Sequence, residues 1–156
     1  MINFLKRKKD KRPDWDEYFL ILAKHASVRA TCQRAKHGCV LTRHNTVVSI
    51  GYNGAPPGVP HCIDDGCIII GGHCERCNHA EVNAICQAAK EGHFTIGATA
   101  YITGEPCLEC LRTLICAGIV RIVYAKGGHY PFPKDEEDLR QLFIRESGIE
   151  IVGIKL

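Results

Sequence analysis

The sequence predicts a three-layer α/β/α fold built on a mixed five-stranded sheet. Two short β-rich runs near the N-terminus, residues 39–42 and 47–50, flank a His44-Asn45 turn and so form an antiparallel hairpin. Further along, β-branched runs alternate with helical patterns, which requires parallel crossovers in the same sheet. A length of 156 residues suits one domain with one sizeable core.

Asp14-x-x-Glu17 after Pro13 is a capping pattern, and it starts a helix expected to reach Ala35 with Tyr18, Leu22 and Ala26 on one face. Residues 51–60 hold three Gly and three Pro and must be loop. Residues 61–78 form a Cys- and Gly-rich insert without a period. Good helix formers follow over residues 79–91, stopped by Gly92. Residues 98–103 read as a strand. Pro106 suits the opening turn of a helix that ends at Gly118. Residues 119–124 are a strand, 127–133 a loop, 135–146 a helix and 149–154 the last strand. The predicted order is αββαβαβαβ.

The formal charge of +3 is not a property of the body. Six of the 20 Lys and Arg residues lie in residues 6–12, a segment read as a disordered basic arm. From Pro13 to the C-terminus there are 14 basic and 16 acidic residues, so the body, residues 13–156, is not a surface made to wrap nucleic acid. No apolar run approaches the ~20 residues of a membrane helix. The expected location is the cytoplasm, where ten cysteines stay reduced and favour metal binding or catalysis over disulfides. Cys39, Cys86 and Cys116 sit inside apolar patterns and are expected in the core.

Two pieces carry the chemistry, His79-Ala80-Glu81 and Pro106-Cys107-Leu108-Glu109-Cys110, together the H-x-E…P-C-x-x-C signature of zinc deaminases. Each opens a predicted helix, where positive partial charge favours thiolate at Cys107 and Cys110. Two cysteines one turn apart grip one ion, His79 adds a third ligand, and the fourth tetrahedral position stays open, as a catalytic zinc requires. Glu81 should stand beside the metal as the general acid–base. A zinc ribbon accounts for the pattern less well: 29 residues separate Cys77 from Cys107, and a ribbon has no use for Glu81.

With these motifs, Gly51-Tyr52-Asn53-Gly54 and Ala117-Gly118-Ile119, the chain resembles the deoxycytidylate (dCMP) deaminase family, and within it the bacterial late-competence operon proteins. The resemblance runs from about Trp15 to the C-terminus. It implies a cytidine deaminase-like fold, hydrolysis of dCMP to dUMP for thymidylate synthesis, and a homo-oligomer, a hexamer, with deoxycytidine triphosphate and thymidine triphosphate as effectors. It also implies substrate contacts from Asn53 to the deoxyribose, from the Ala80 backbone to the pyrimidine, from Tyr130 by stacking and from Arg29 to the phosphate. Where the family usually reads Val-Gly-Ala on the first strand, this chain has His37-Gly38-Cys39.

Cys32, Cys62, Cys67, His73, Cys74 and Cys77 form a second cluster, and an insert without apolar period needs such a site to order it. Cys32, Cys62, Cys67 and Cys74 are the expected ligands of a structural zinc, with Cys77 or His73 as replacements. Two other functions compete: a tRNA adenosine deaminase with the same zinc core, and a non-catalytic zinc module associated with DNA uptake. The slightly acidic body speaks against the first and Glu81 against the second.

Overall fold

The computed structural model describes residues 11–127 and 131–156. The first ten residues of the expected basic arm lie outside this description. The first helix, α1 (Trp15–Ser27), is capped by Asp14, whose carboxylate accepts the Glu17 N–H at 2.8 Å. It stops well short of Ala35. The chain must turn there because Thr31 donates its N–H to the Asn53 carbonyl and the buried Cys32 joins other cysteines. Its buried face is Phe19, Leu20 and Ala23, while Tyr18 is 42% exposed. Trp15 stacks on Phe19 at 5.6 Å, and Phe19 in turn meets Tyr101 at 5.0 Å.

Strands β1 (Gly38–Arg43) and β2 (Thr46–Tyr52) form the expected hairpin. His44 and Asn45 both have positive φ, 52° and 57°, the conformation a two-residue turn of this hand needs. The insert contributes a short helix α2 (Cys62–Asp65) and the small hairpin β3 (Ile69–Ile70) and β4 (His73–Cys74). The remaining elements are α3 (Ala80–Lys90), β5 (Thr99–Ile102), α4 (Leu108–Cys116), β6 (Arg121–Ala125), α5 (Lys134–Ser147) and β7 (Glu150–Ile154). The main sheet runs β2-β1-β5-β6-β7; β1 is antiparallel to both neighbours, and β5, β6 and β7 are parallel. Helices α4 and α5 are therefore the crossovers.

Alternation along the strands splits the core into two layers. Cys39, Leu41, Ala100, Ile102 and Ile122 face Ala80 and Ala84 of α3 and Leu111 and Leu114 of α4. Val40, Tyr101 and Val123 face Phe19, Leu20 and Ala23 of α1. Each fully buried aliphatic side chain contributes about 1.5–3 kcal/mol. Cys39 is in this core as expected, but Cys86 and Cys116 are exposed on the outer faces of α3 and α4. The period that places a residue in a helix does not by itself say which flank faces water.

Two glycines let helices touch the sheet backbone. A Cβ at Gly38 would stand 2.0 Å from the Ala23 carbonyl oxygen, and one at Gly51 would stand 2.2 Å from that of Ala80. Ser49 adds a hydrogen bond to the Ala84 carbonyl at 2.7 Å. The first turns of α3 are thus pressed onto β2. At the opposite end of the sheet, Arg121 pairs with Asp16 at 2.7 and 2.8 Å and holds its carboxyl below the usual range, while Tyr101 donates its hydroxyl to the same carboxylate. No helix among the described residues is long and apolar enough to cross a membrane.

Candidate active site

His79 and Cys107 occupy equivalent positions. Each is the extended residue immediately before a helix, His79 at φ −69°, ψ 157° before α3 and Cys107 at φ −66°, ψ 168° before α4. Cys110 lies one turn into α4. The antiparallel and parallel registers bring the two helix N-termini to one edge of the sheet. There the His79 Nδ1 lies 3.2 Å from the Cys110 sulfur and 3.6 Å from the Cys107 sulfur. Zinc binds nitrogen at about 2.0–2.1 Å and thiolate at about 2.3 Å, which sets tetrahedral donors roughly 3.5–3.8 Å apart. The three side chains fit that ion, and their two thiolates balance its charge.

The proton distribution agrees. The Cys110 thiol and backbone N–H, together with His79, bring the Cys107 thiol down to about 4. The resulting thiolate lifts His79 to about 9 and pushes the Cys110 thiol up. A divalent cation placed among them would take over from the protons on His79 and Cys110.

Glu81 sits at the second position of α3 and is only 6% exposed. Burial pushes its carboxyl up, opposed by its own backbone N–H, by His79 and by the Cys110 thiol. It lies beside the three-ligand set and outside it. A buried carboxyl with a raised pKa, next to a ligand set with an open position, is suited to accepting and returning protons.

Asn53 and Ala80, expected at the substrate, both border this edge. Asn53 is buried, and most of its side chain is already committed: Oδ1 accepts the His37 N–H at 2.7 Å and Nδ2 donates to the Ala35 carbonyl at 2.8 Å. One amide hydrogen and one lone pair remain for a ligand. Ala80 is buried between His79 and Glu81 at the start of α3. Arg29 is exposed in the turn after α1, and Tyr130 lies outside the described residues.

The sequence did not reveal the residues that hold these loops. Asn83 donates to the carbonyls of Tyr52 and Gly54 at 2.8 and 3.3 Å and accepts from Asn78 at 3.2 Å. Glu136 of α5 accepts the Leu108 N–H at 3.1 Å, capping the helix that carries Cys110. Arg140 of α5 is 0% exposed. It donates to the Pro106 carbonyl at 3.2 Å, pairs with Glu105 at 2.8 Å and with Glu137, and lies 4.0 Å over the Phe132 ring. Asn83 lies one turn beyond His79, but an arginine on a charged helix gives no signal that it points inward.

A second group comprises Cys32, Cys62, Cys74 and Cys77, whose sulfurs all lie within 4.8 Å of one another. Cys62 is 3.5 Å from Cys74 and 3.3 Å from Cys77. Against burial, the N–H groups of Arg76 and Cys77 and the neighbouring thiols bring Cys74 down to about 7. Burial lifts Cys77 to about 11 and raises Cys62 as well. This close group differs from the first expected set by one member: Cys77, expected as a replacement, stands where Cys67 was expected. Cys67 approaches Cys62 and Cys74 but falls outside the mutually close four. Cys77 wins because the Cys74-x-x-Cys77 turn aims both sulfurs at one point. His73 is exposed on β4 and takes no part.

The two groups are physically joined. Gly54 and Asn78 exchange backbone hydrogen bonds at 3.2 and 3.1 Å, and Asn78 is the only residue between Cys77 and His79.

Residues 13–126 match the family model for the cytidine and deoxycytidylate deaminase zinc-binding region. The chain is 40% identical over 140 residues to ComE operon protein 2 of Bacillus subtilis, covering 90% of this chain and 74% of that protein. It is also 40% identical over 126 residues to the deoxycytidylate deaminase of Mycobacterium phage D29, covering 74% of this chain and 97% of that one. Among solved structures, the dCMP deaminase of cyanophage S-TIM5 in complex with dCMP and dUMP superposes with a TM-score of 0.74 at 24% identity, covering 93% of this chain and all of that one.

Proposed function

Because the chain belongs to the cytidine and deoxycytidylate deaminase family, we propose that it is a zinc-dependent hydrolase converting dCMP and water to dUMP and ammonia. The observation that carries this reading is the convergence of one imidazole and two thiols beside a buried carboxyl. His79, Cys107 and Cys110 would hold the zinc, which supplies the Lewis acidity that makes water a nucleophile at neutral pH. Glu81 then does the proton work. Its carboxylate takes a proton from the attacking water and passes it to ring N3 as the water oxygen bonds to C4. It next moves the remaining hydroxyl proton to the amino group, the C4–N bond breaks, and ammonia leaves. Burial of Glu81 raises its pKa toward the working pH, where both steps are accessible.

Ammonia release measured with dCMP, cytidylate, deoxycytidine and an adenosine-containing tRNA stem-loop tests the substrate. A clear preference for dCMP is expected; preference for the tRNA would replace this reading with an adenosine deaminase.

The same reading extends to a second, structural zinc on Cys32, Cys62, Cys74 and Cys77. The insert leaves Ile63, Ile68, Ile69 and Ile70 exposed, so it has little core of its own to order it. Elemental analysis should find about two zinc per chain, and Cys62→Ser about one. A value of one in the unaltered protein refutes the second ion. Exposed Phe94, Ile96 and Val120 also favour a homo-oligomer that would cover them.

A further inference from the structure

Burial is uneven around the three ligands. Cys110 is 1% exposed and Glu81 6%, whereas His79 is exposed and Cys107 half-buried. On the deaminase reading, a pyrimidine entering from the His79 side would have its reacting carbon at the closed end and its sugar phosphate at the mouth.

His37 stands on that side. Its backbone is held from both directions by one residue: its N–H donates to the Asn53 side-chain oxygen at 2.7 Å and its carbonyl accepts the Asn53 N–H at 3.2 Å. The half-buried imidazole places Nδ1 3.3 Å from the Thr103 hydroxyl. That hydroxyl already accepts the Gly38 N–H at 3.0 Å, so its own hydrogen is available to Nδ1. In the tautomer where Thr103 donates to Nδ1, the ring proton sits on Nε2, which makes no hydrogen bond to the described residues.

The loop that presents this ring has one sign of charge. Residues 28–37 contain Arg29, Arg34 and Lys36 and no acidic residue, although the domain as a whole is slightly acidic. An oriented N–H donor in a cationic, acid-free loop at the mouth is chemistry for an anionic oxygen.

We propose that His37 is a specificity-determining residue whose Nε2–H donates a hydrogen bond to the 5′-phosphate of the bound nucleotide. The proposal rests on the deaminase reading above. The imidazole would thereby help the enzyme choose nucleotide over nucleoside.

Steady-state kinetics of His37→Val and His37→Gln on dCMP and on deoxycytidine test it, with calorimetric titration of dUMP as a second readout. Loss of a hydrogen bond to a charged group, worth about 1.5–3 kcal/mol, corresponds to a rise of roughly 10- to 100-fold in KM for dCMP and in Kd for dUMP. kcat on dCMP should change by less than about 3-fold, and kcat/KM on deoxycytidine should not fall in parallel. His37→Gln, which keeps an N–H donor, should recover part of the affinity. Unchanged KM and Kd in His37→Val, or an equal loss with deoxycytidine, overturns the proposal. Absence of dCMP turnover in the unaltered enzyme would instead overturn the deaminase reading.

Discussion

Glu81→Gln is expected to lower kcat on dCMP by about 10²–10⁴-fold while zinc content stays at the wild-type value. The amide has nearly the same shape as the carboxylate but can neither take a proton from water nor return one to the amine. Because Glu81 lies outside the ligand set of His79, Cys107 and Cys110, the metal has no reason to leave. Stability should not fall either. Burial raises the folded-state pKa of this carboxyl, so at neutral pH the ionised form costs the folded protein free energy that a neutral amide does not. Ammonia release, elemental analysis and thermal unfolding of one preparation separate these effects. Near-normal turnover with full zinc would remove Glu81 from the proton path.

Arg140→Met is expected to have the largest effect on stability. The guanidinium is fully buried and is shared between Glu105, Glu137 and the Pro106 carbonyl. Methionine fills much of the volume but removes the guanidinium from Glu105, Glu137 and the Pro106 carbonyl. Removing one member of a buried ion pair costs about 3–5 kcal/mol, and here the carboxylates are partly solvated, so the lower end applies. A loss of about 3 kcal/mol lowers Tm by roughly 6–12 °C for a domain of this size. Since Pro106 immediately precedes Cys107, zinc should also be lost faster to a chelator. Arg140→Lys keeps the charge but not the fork and should fall between the two. A Tm within about 2 °C of wild type would show that α5 does not brace the metal loop.

The contrast between these two residues shows what a sequence exposes. Glu81 is legible because its neighbours are: a His two residues earlier and a helix start have few other joint uses. Arg140 carries the same formal signal as any solvated arginine on a helix with Asp135, Glu136, Glu137 and Asp138 before it. Its inward direction follows from Phe132 and the Pro106 carbonyl, which are brought to it by the fold. Asn53 lies between the two. Its position in a Gly-Tyr-Asn-Gly loop marks it for use. The structure shows that most of its hydrogen-bonding capacity goes to residues 35 and 37, which it holds in place.

Helix α1 ends at Ser27, short of Ala35, for a related reason. Helix-forming residues continue past Ser27, but a local preference of a few tenths of a kcal/mol per residue loses to the contacts of Thr31 with Asn53 and of Cys32 with three other cysteines.

What the sequence alone determined was local: the hairpin and its two-residue turn, the order of the main-sheet strands and their helices, and the identity of the residues at the starts of α3 and α4. Those follow from dihedral preference, periodicity and caps, all of which act over a few residues. Which four of the clustered cysteines share one point, which face of α1 is buried, and how α5 grips the loop before Cys107 were decided only in three dimensions. Each depends on backbones far apart in sequence approaching to within hydrogen-bond or van der Waals distance, as at Gly38 against Ala23 and Gly51 against Ala80. No short-range pattern encodes such a distance.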